Sequence, residues 1–271
     1  MPDTKKLRAT IRRFWSKVRP AAVFLTGVAG LIAAITVVAG AAIYVGGAVN
    51  DKWFWQDDEY EKLHSLRAGF TLDYFESVLG PPVFSRPASQ GPYRESTFRG
   101  REYWVQAISK DGVVELYATT SCDDDFHPSF RIPNSGIRIT LRRTHLADAY
   151  ADPRVQYFTS GATAPPYYYE IGPQGNPTFY KSFIWGIDGA CWPQGPAFAL
   201  HGLLDFGKAE SGVYNGYAKN GGQAVRRFRE AAIVNTFVET APGVFLFGPH
   251  SLASFHGFQI GPDEILIRTA G

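Results

Sequence analysis

Charge is absent from one long stretch of this chain: no Asp, Glu, Lys or Arg falls between residues 21 and 49. Cysteine is scarce too. There are only two, Cys122 and Cys191, and neither lies near that apolar run, so no lipid-modified N-terminus is indicated. Their spacing is no metal-ligand signature. The six histidines, His64, His127, His145, His201, His250 and His256, are scattered, with no pair at helical metal spacing. No Gly-rich phosphate loop leads into a basic helix, and no Gly-x-Ser-x-Gly nucleophile motif occurs. The sequence therefore assigns no catalytic residue, no metal ligand and no cofactor.

The uncharged run itself has a physical meaning. A bilayer core about 30 Å thick takes roughly 20 apolar residues of helix. Residues 21–49 satisfy that with room for tilt. Lys5, Lys6, Arg8, Arg12, Arg13, Lys17 and Arg19 precede the run, against the single acid Asp3; Asp51, Asp57, Asp58, Glu59 and Glu61 follow it, with Lys52. Positive charge stays on the cytoplasmic side. The expectation is a single-pass protein of the cell (inner) membrane, with residues 1–20 a cytoplasmic tail and the bulk extracytoplasmic. A cleavable signal peptide has a shorter apolar core, though Gly40, Ala41, Ala42, Gly46, Gly47 and Ala48 suit signal peptidase and keep cleavage open. Trp53, Phe54 and Trp55 are expected at the outer headgroup level. Thr26, Gly30 and Ala34, then Thr36 and Gly40, recur at the spacing that lets membrane helices pack closely, and so suggest a homodimer through this helix.

Beyond the run remain about 220 residues, one large domain or two small ones. The net charge is +2, but the basic excess sits in the tail. The outer part is near neutral, which speaks against nucleic acid as a partner. Arginine exceeds lysine and Ala and Gly are abundant, a composition that suggests a GC-rich bacterial genome. Two cysteines in an oxidising compartment fit one Cys122–Cys191 disulfide, and fit two buried thiols as well.

Residues 57–66 carry Tyr60, Leu63 and Leu66 as an apolar stripe, predicting a helix that Ala68-Gly69 ends. Thr71 can cap a second helix, with Asp73 in its first turn and Leu72, Phe75, Val78 and Leu79 as its buried face. Gly80-Pro81-Pro82 stops it. Residues 85–95 read as an exposed loop. Segments 102–109 and 113–119 read as strands joined by Lys110-Asp111-Gly112, a hairpin signal. Leu66-Arg67-Ala68-Gly69-Phe70-Thr71, Phe75, Val78, Leu79-Gly80-Pro81-Pro82 and the Asp111-Gly112 hairpin resemble the small-protein-A/outer-membrane-lipoprotein-A module, which shares its fold with the repeats of the beta-lactamase inhibitor protein. The resemblance covers residues 60–119 and implies a small α+β sandwich used for protein–protein contact, with no catalysis. The chain departs from the lipoproteins in lacking the lipidated cysteine, and it adds a long extension.

In that extension, residues 137–141 alternate apolar and polar, predicting a half-buried strand; 167–171 and 179–185 are strand-like. A helix is expected over 222–234, then strands over 235–240, 244–247 and 264–268. The fold expected is α+β: a transmembrane helix (21–49), a helix-helix-hairpin module (50–122) and a β-rich domain with one main helix (123–271).

Gly189-Ala190-Cys191-Trp192 resembles the stretch around the nucleophile of papain-like peptidases. A thiolate there would need a base such as His201, His250 or His256 and an orienting group such as Asn235. The family's upstream oxyanion glutamine is missing, and Pro193-Gln194-Gly195 interrupts the helix it would continue. Cys122-Asp123-Asp124-Asp125 with His127 lacks calcium-loop spacing and reads as a solvated turn. Tyr167, Tyr168, Tyr169 and Trp185 are candidate stacking residues for cell-wall saccharide or protein. The expected function is a membrane-tethered binding or assembly module for an envelope protein or a cell-wall component, with a thiol hydrolase and a saccharide binder as alternatives.

Overall fold

The computed structural model describes residues 55–87, 91–151, 155–160, 167–172, 181–191, 214–217, 223–244 and 260–262. The expected anchor, 21–49, its packing face, Trp53 and Phe54 lie outside them. Among the described residues no helix is long and apolar enough to cross a membrane. The chain divides into two compact units, Met1–Asp57 and Asp58–Gly271. Of the first, only the opening residues of a helix, Trp55 to Asp57, are described.

Two short helices precede the sheet. Helix α1 (Trp55–Ser65) buries Leu63, and Tyr60 packs its ring 5.0 Å from that of Phe126. Helix α2 (Leu72–Leu79) starts where the Thr71 hydroxyl accepts the Tyr74 N–H at 3.3 Å. Only Phe75 of its expected face is fully buried; Leu72, Val78 and Leu79 are half-covered. Gly69 makes the turn between the helices with φ of 98°, and its N–H donates to the Val114 carbonyl at 2.7 Å. The turn is thereby pinned to the sheet.

Strands β1 (Phe84–Pro87), β2 (Tyr93–Arg99), β3 (Tyr103–Lys110) and β4 (Val113–Ser121) form an antiparallel meander. Asp111 and Gly112 take positive φ, 51° and 79°, as a tight two-residue hairpin turn requires. The loop expected over 85–95 is corrected: most of it is β1 and the start of β2. Its polar residues pair across the strands, with Arg86 Nε donating to Glu95 at 2.5 Å and the Gln106 amide donating to the same carboxylate at 2.5 Å.

A small hairpin follows, β5 (Ser129–Arg131) with β6 (Arg138–Thr140). After the one-turn helix α3 (Leu146–Ala149) come β7 (Val155–Ser160), β8 (Tyr167–Ile171), β9 (Phe183–Asp188), β10 (Tyr214–Tyr217), helix α4 (Gln223–Ala231) and β11 (Thr236–Thr240). Nine strands of the described residues join in one antiparallel sheet, ordered β1-β2-β3-β4-β11-β9-β8-β7-β10. The last strand inserts at the middle: β11 pairs with β4 on one side and β9 on the other. That insertion corrects the expected division at residues 122/123, because hydrogen bonds cross it along the whole of β11.

Both faces of the sheet are covered, which is why β3, β8, β9 and β11 are buried without alternation. On one face Tyr168, Phe183, Trp185, Ile187 and Phe237 pack against Phe130, Ile139, Leu146 and Phe228 of the hairpin and helices and Val234 of the α4–β11 link. On the other, Ile108, Leu116, Ala118, Tyr167, Tyr169, Ile184 and Val238 pack together with Ile260. Gly186 lies beneath this aromatic row; a Cβ there would collide with the Tyr168 carbonyl and the Tyr169 ring. A disulfide joins Cys122, at the end of β4, to Cys191, just after β9, closing a separation of 69 residues.

Candidate functional site

One cleft of about 610 Å³ opens on the helix-bearing face of the sheet. Its floor comes from three central strands: Tyr117 of β4, Phe237 and Glu239 of β11, and Phe183 of β9, with Lys181 just before β9. Its walls are the end of α1 and the turn after it, through His64 and Arg67, and the β5–β6 hairpin, through Ser129, Phe130, Arg131, Pro133, Asn134 and Arg138. The volume lies within the range of small-molecule pockets.

Each wall has a local cause. The β5–β6 turn contains Asn134 and Gly136 at φ of 59° and 73°, conformations that Asn and Gly tolerate best. Ser135 tightens it, its hydroxyl donating to the Ile132 carbonyl and accepting the Ile137 N–H. The hairpin is fastened inward by Phe130, stacked on Phe237 with centroids 4.3 Å apart and planes 4° from parallel. The imidazole of His64 meets the Ser129 carbonyl at 2.7 Å, joining the helix wall to the hairpin wall. The Arg67 guanidinium donates to the His64 carbonyl at 2.7 Å, ending α1 at the cleft.

The floor is polar on one side. Lys181 Nζ donates to Glu239 Oε1 at 2.6 Å and to the Ala68 carbonyl at 3.1 Å. The Tyr117 hydroxyl approaches Glu239 Oε2 at 3.3 Å and the Leu66 carbonyl at 3.4 Å. Burial and the Glu239 carboxylate hold the Tyr117 phenol well above its ordinary value, against the weaker opposite pull of Arg67. Tyr117 therefore stays protonated and donates. Four cations line the cleft, Arg67, Arg131, Arg138 and Lys181, against the single carboxylate of Glu239. Lys181 is matched by that carboxylate. The side chains of Arg131 and Arg138 have no hydrogen-bond or ion-pair partner among the described residues, and the two face each other directly across the hairpin.

The residues singled out from the sequence lie elsewhere. Tyr167, Tyr168, Tyr169 and Trp185 are at most 2 % exposed, so the expected stacking platform is corrected to core: a ring with both faces packed offers none to a sugar. Tyr168 instead donates to Glu170 at 2.9 Å, beside Arg229. Cys191, bonded to Cys122, offers no thiolate, and a thiol mechanism needs one. Of its expected partners, His201, His250 and His256 lie outside the described residues, while the Asn235 amide is spent on the backbone of Asp188. In the acidic turn, Asp123 accepts the Asp125 N–H, Asp124 pairs with Arg142, and His127 faces the Leu141 carbonyl. No group of three or more His, Cys, Asp or Glu able to hold a metal occurs among the described residues. Trp55 is half-exposed in the first turn of α1.

The sequence reasoning missed the cleft because its residues come from five separated segments. The available signal was Phe130-Arg131, then Pro133-Asn134-Ser135-Gly136, then Arg138-Ile139: a turn between two short runs with an arginine at each inner end. No family model matches this chain, and neither a curated protein nor a solved structure does.

Proposed function

We infer that the chain is a single-pass membrane protein whose extracytoplasmic α+β domain is a binding module, with the cleft as its binding surface. The observation that carries this reading is the cleft's composition. It is concave, floored by aromatic rings and walled by cations, and its one buried carboxylate is tied to Lys181 and Tyr117 rather than aimed at an open space. Such a lining recognises a ligand; it does not assemble a nucleophile, a base and an electrophile. The uncharged run at 21–49 and the charge asymmetry around it support the tether. The two helices, the glycine turn between them and the hairpin are the features on which the resemblance to the envelope-assembly module rests, and they support a role in recognition.

The test is photo-crosslinking in intact cells. A benzophenone amino acid replaces Pro133, which is exposed on the cleft, or Arg227, which is exposed on α4 away from it. The expected result is a discrete adduct from the Pro133 position and none from Arg227. Equal labelling at both, or none at Pro133 in a folded protein, contradicts the reading.

A further inference from the structure

The aromatic rings at the base of the cleft are sealed: Phe130, Phe183 and Phe237 are at most 6 % exposed. What a ligand meets is the rim, where His64, Arg67, Arg131, Asn134 and Arg138 are exposed. This rim is polar and cationic, and its charge is local. Beyond residue 49 the chain carries 20 Lys and Arg against 24 Asp and Glu, yet between Asp125 and Asp148 lie four arginines and no acid. Of these, Arg142 is matched by Asp124. Arg131 and Arg138 have no carboxylate partner among the described residues.

The hydrogen bonds of the hairpin define how the pair is held. The Ile132 N–H donates to the Ile137 carbonyl at 3.0 Å, and the Leu141 N–H donates to the Pro128 carbonyl at 2.9 Å. Antiparallel ladders alternate, so Arg131 and Arg138, which oppose each other, form a non-hydrogen-bonded pair. In such a pair the Cα atoms are only about 4.5 Å apart and the side chains are at their closest. Two like charges placed so destabilise the hairpin, and an anion on that face relieves them.

The same alternation turns the backbone N–H and C=O groups of Ser129 and Arg131 away from β6. The Ser129 carbonyl meets His64 of α1 at 2.7 Å, so this outer edge of β5 faces the α1 wall across the cleft. At Arg131 the edge groups have no partner among the described residues. An unpaired strand edge is the complement of another extended backbone. A residue set directly opposite Arg131 by antiparallel pairing carries its side chain on the face of Arg131 and Arg138. A carboxylate there meets both guanidinium groups, and such charge-assisted hydrogen bonds are the strong ones. A free inorganic anion would leave the edge bare, and a neutral peptide would leave the arginines unmatched.

We propose that the cleft takes an extended acidic segment of a partner protein, paired antiparallel to the outer edge of β5 with a carboxylate on Arg131 and Arg138. The proposal rests on the binding-module reading and names its partner chemistry.

The test uses the full chain in nanodiscs of zwitterionic lipid, with empty discs subtracted, in calorimetric titrations at low salt. The probes are a blocked hexapeptide alternating threonine and glutamate, its threonine–glutamine counterpart, and tripolyphosphate. The acidic peptide is expected to bind about tenfold or more tightly than the neutral one, and more tightly than tripolyphosphate. N-methylation of its glutamate amides should abolish binding, because those N–H groups face β5; methylation of its threonine amides should change binding by less than about twofold. Arg131→Gln/Arg138→Gln should bind the acidic peptide no better than the wild type binds the neutral one. It should also melt, unliganded, no lower than the wild type, because it removes a facing pair of like charges. Arg227→Gln, on exposed α4 surface, should bind like the wild type. Equal binding of the two peptides, undiminished binding by the double variant, the same effect from both methylation patterns, tripolyphosphate binding as tightly as the acidic peptide, or no binding of any probe to the folded protein overturns the proposal. If the peptides fail while crosslinking at Pro133 succeeds, the partner assignment falls and the binding-module reading stands.

Discussion

Arg229 gathers five polar contacts in the second half of the chain. Its Nε donates to Glu170 Oε1 at 2.6 Å, and its other nitrogens reach Glu170 Oε2 and the carbonyls of Leu146, Tyr150 and Ala151. One guanidinium thus ties α4 to β8 and to the end of α3. Both charges are buried. Removing one partner leaves the other desolvated and unmatched, so Arg229→Leu should destabilise by about 3–5 kcal/mol, and Arg229→Leu/Glu170→Leu should recover much of that. Urea unfolding measures both. Burial raises the Glu170 carboxyl above its ordinary value, with Arg229 and the Tyr168 hydroxyl pulling it back. A raised value means that the folded state binds the proton more tightly. Glu170's titration therefore favours folding fully below the ordinary glutamate range, and that contribution is lost as pH rises through the raised value. Over that window the wild type should lose stability with rising pH relative to Glu170→Gln. The opposite slope would show that the ion pair outweighs the burial.

At the scale of elements, local chemistry sets the helices and one hairpin, and these were the legible part of the sequence. The Thr71 cap, the glycine turn at Gly69 and the Asp111-Gly112 turn each act within a few residues, so their signals survive without tertiary context. Strand β8 was legible through its tyrosines and isoleucine. Strands β1, β5, β7 and β10 were not. Their polar residues, such as Ser85, Arg86, Gln156 and Asn215, become strand through ladder pairing that no local pattern of apolar residues announces, with the next strand for β1, β5 and β7 and with a distant one for β10. The tyrosines of β8 show the reverse failure. Their aromatic density reads equally as a surface platform or as a core, and only the coverage of both sheet faces decides. The local signals make a direct prediction. Gly112→Ala, at φ of 79°, should cost about 1 kcal/mol through left-handed backbone strain, and Thr71→Ala about 1 kcal/mol through the lost cap. The two should add within a few tenths of a kcal/mol in denaturant melts if they act independently, but the Leu72 N–H donates to the Gly112 carbonyl at 2.8 Å, so a measurable coupling is expected.

For the whole molecule, chain connectivity and the disulfide belong to one design. Strand β11 returns to the middle of the sheet and unites what the sequence presents as two halves; Cys122–Cys191 ties the same two halves at the ends of β4 and β9. Closing a separation of 69 residues should contribute roughly 2–4 kcal/mol, mostly by restricting the unfolded chain. Such a bond persists where thiols are oxidised, outside the cytoplasm. The proposed anchor run, the positive tail and the disulfide each favour the proposed placement of the residues beyond the run away from the cytoplasm, and the cleft's proposed role as a binding surface depends on that side being correct. The most direct measurement is the mass of membrane-extracted full-length protein after maleimide labelling under denaturing, non-reducing conditions. An unlabelled protein that takes up two labels only after reduction is the predicted result. Two labels without reduction would contradict both the disulfide and the outward topology.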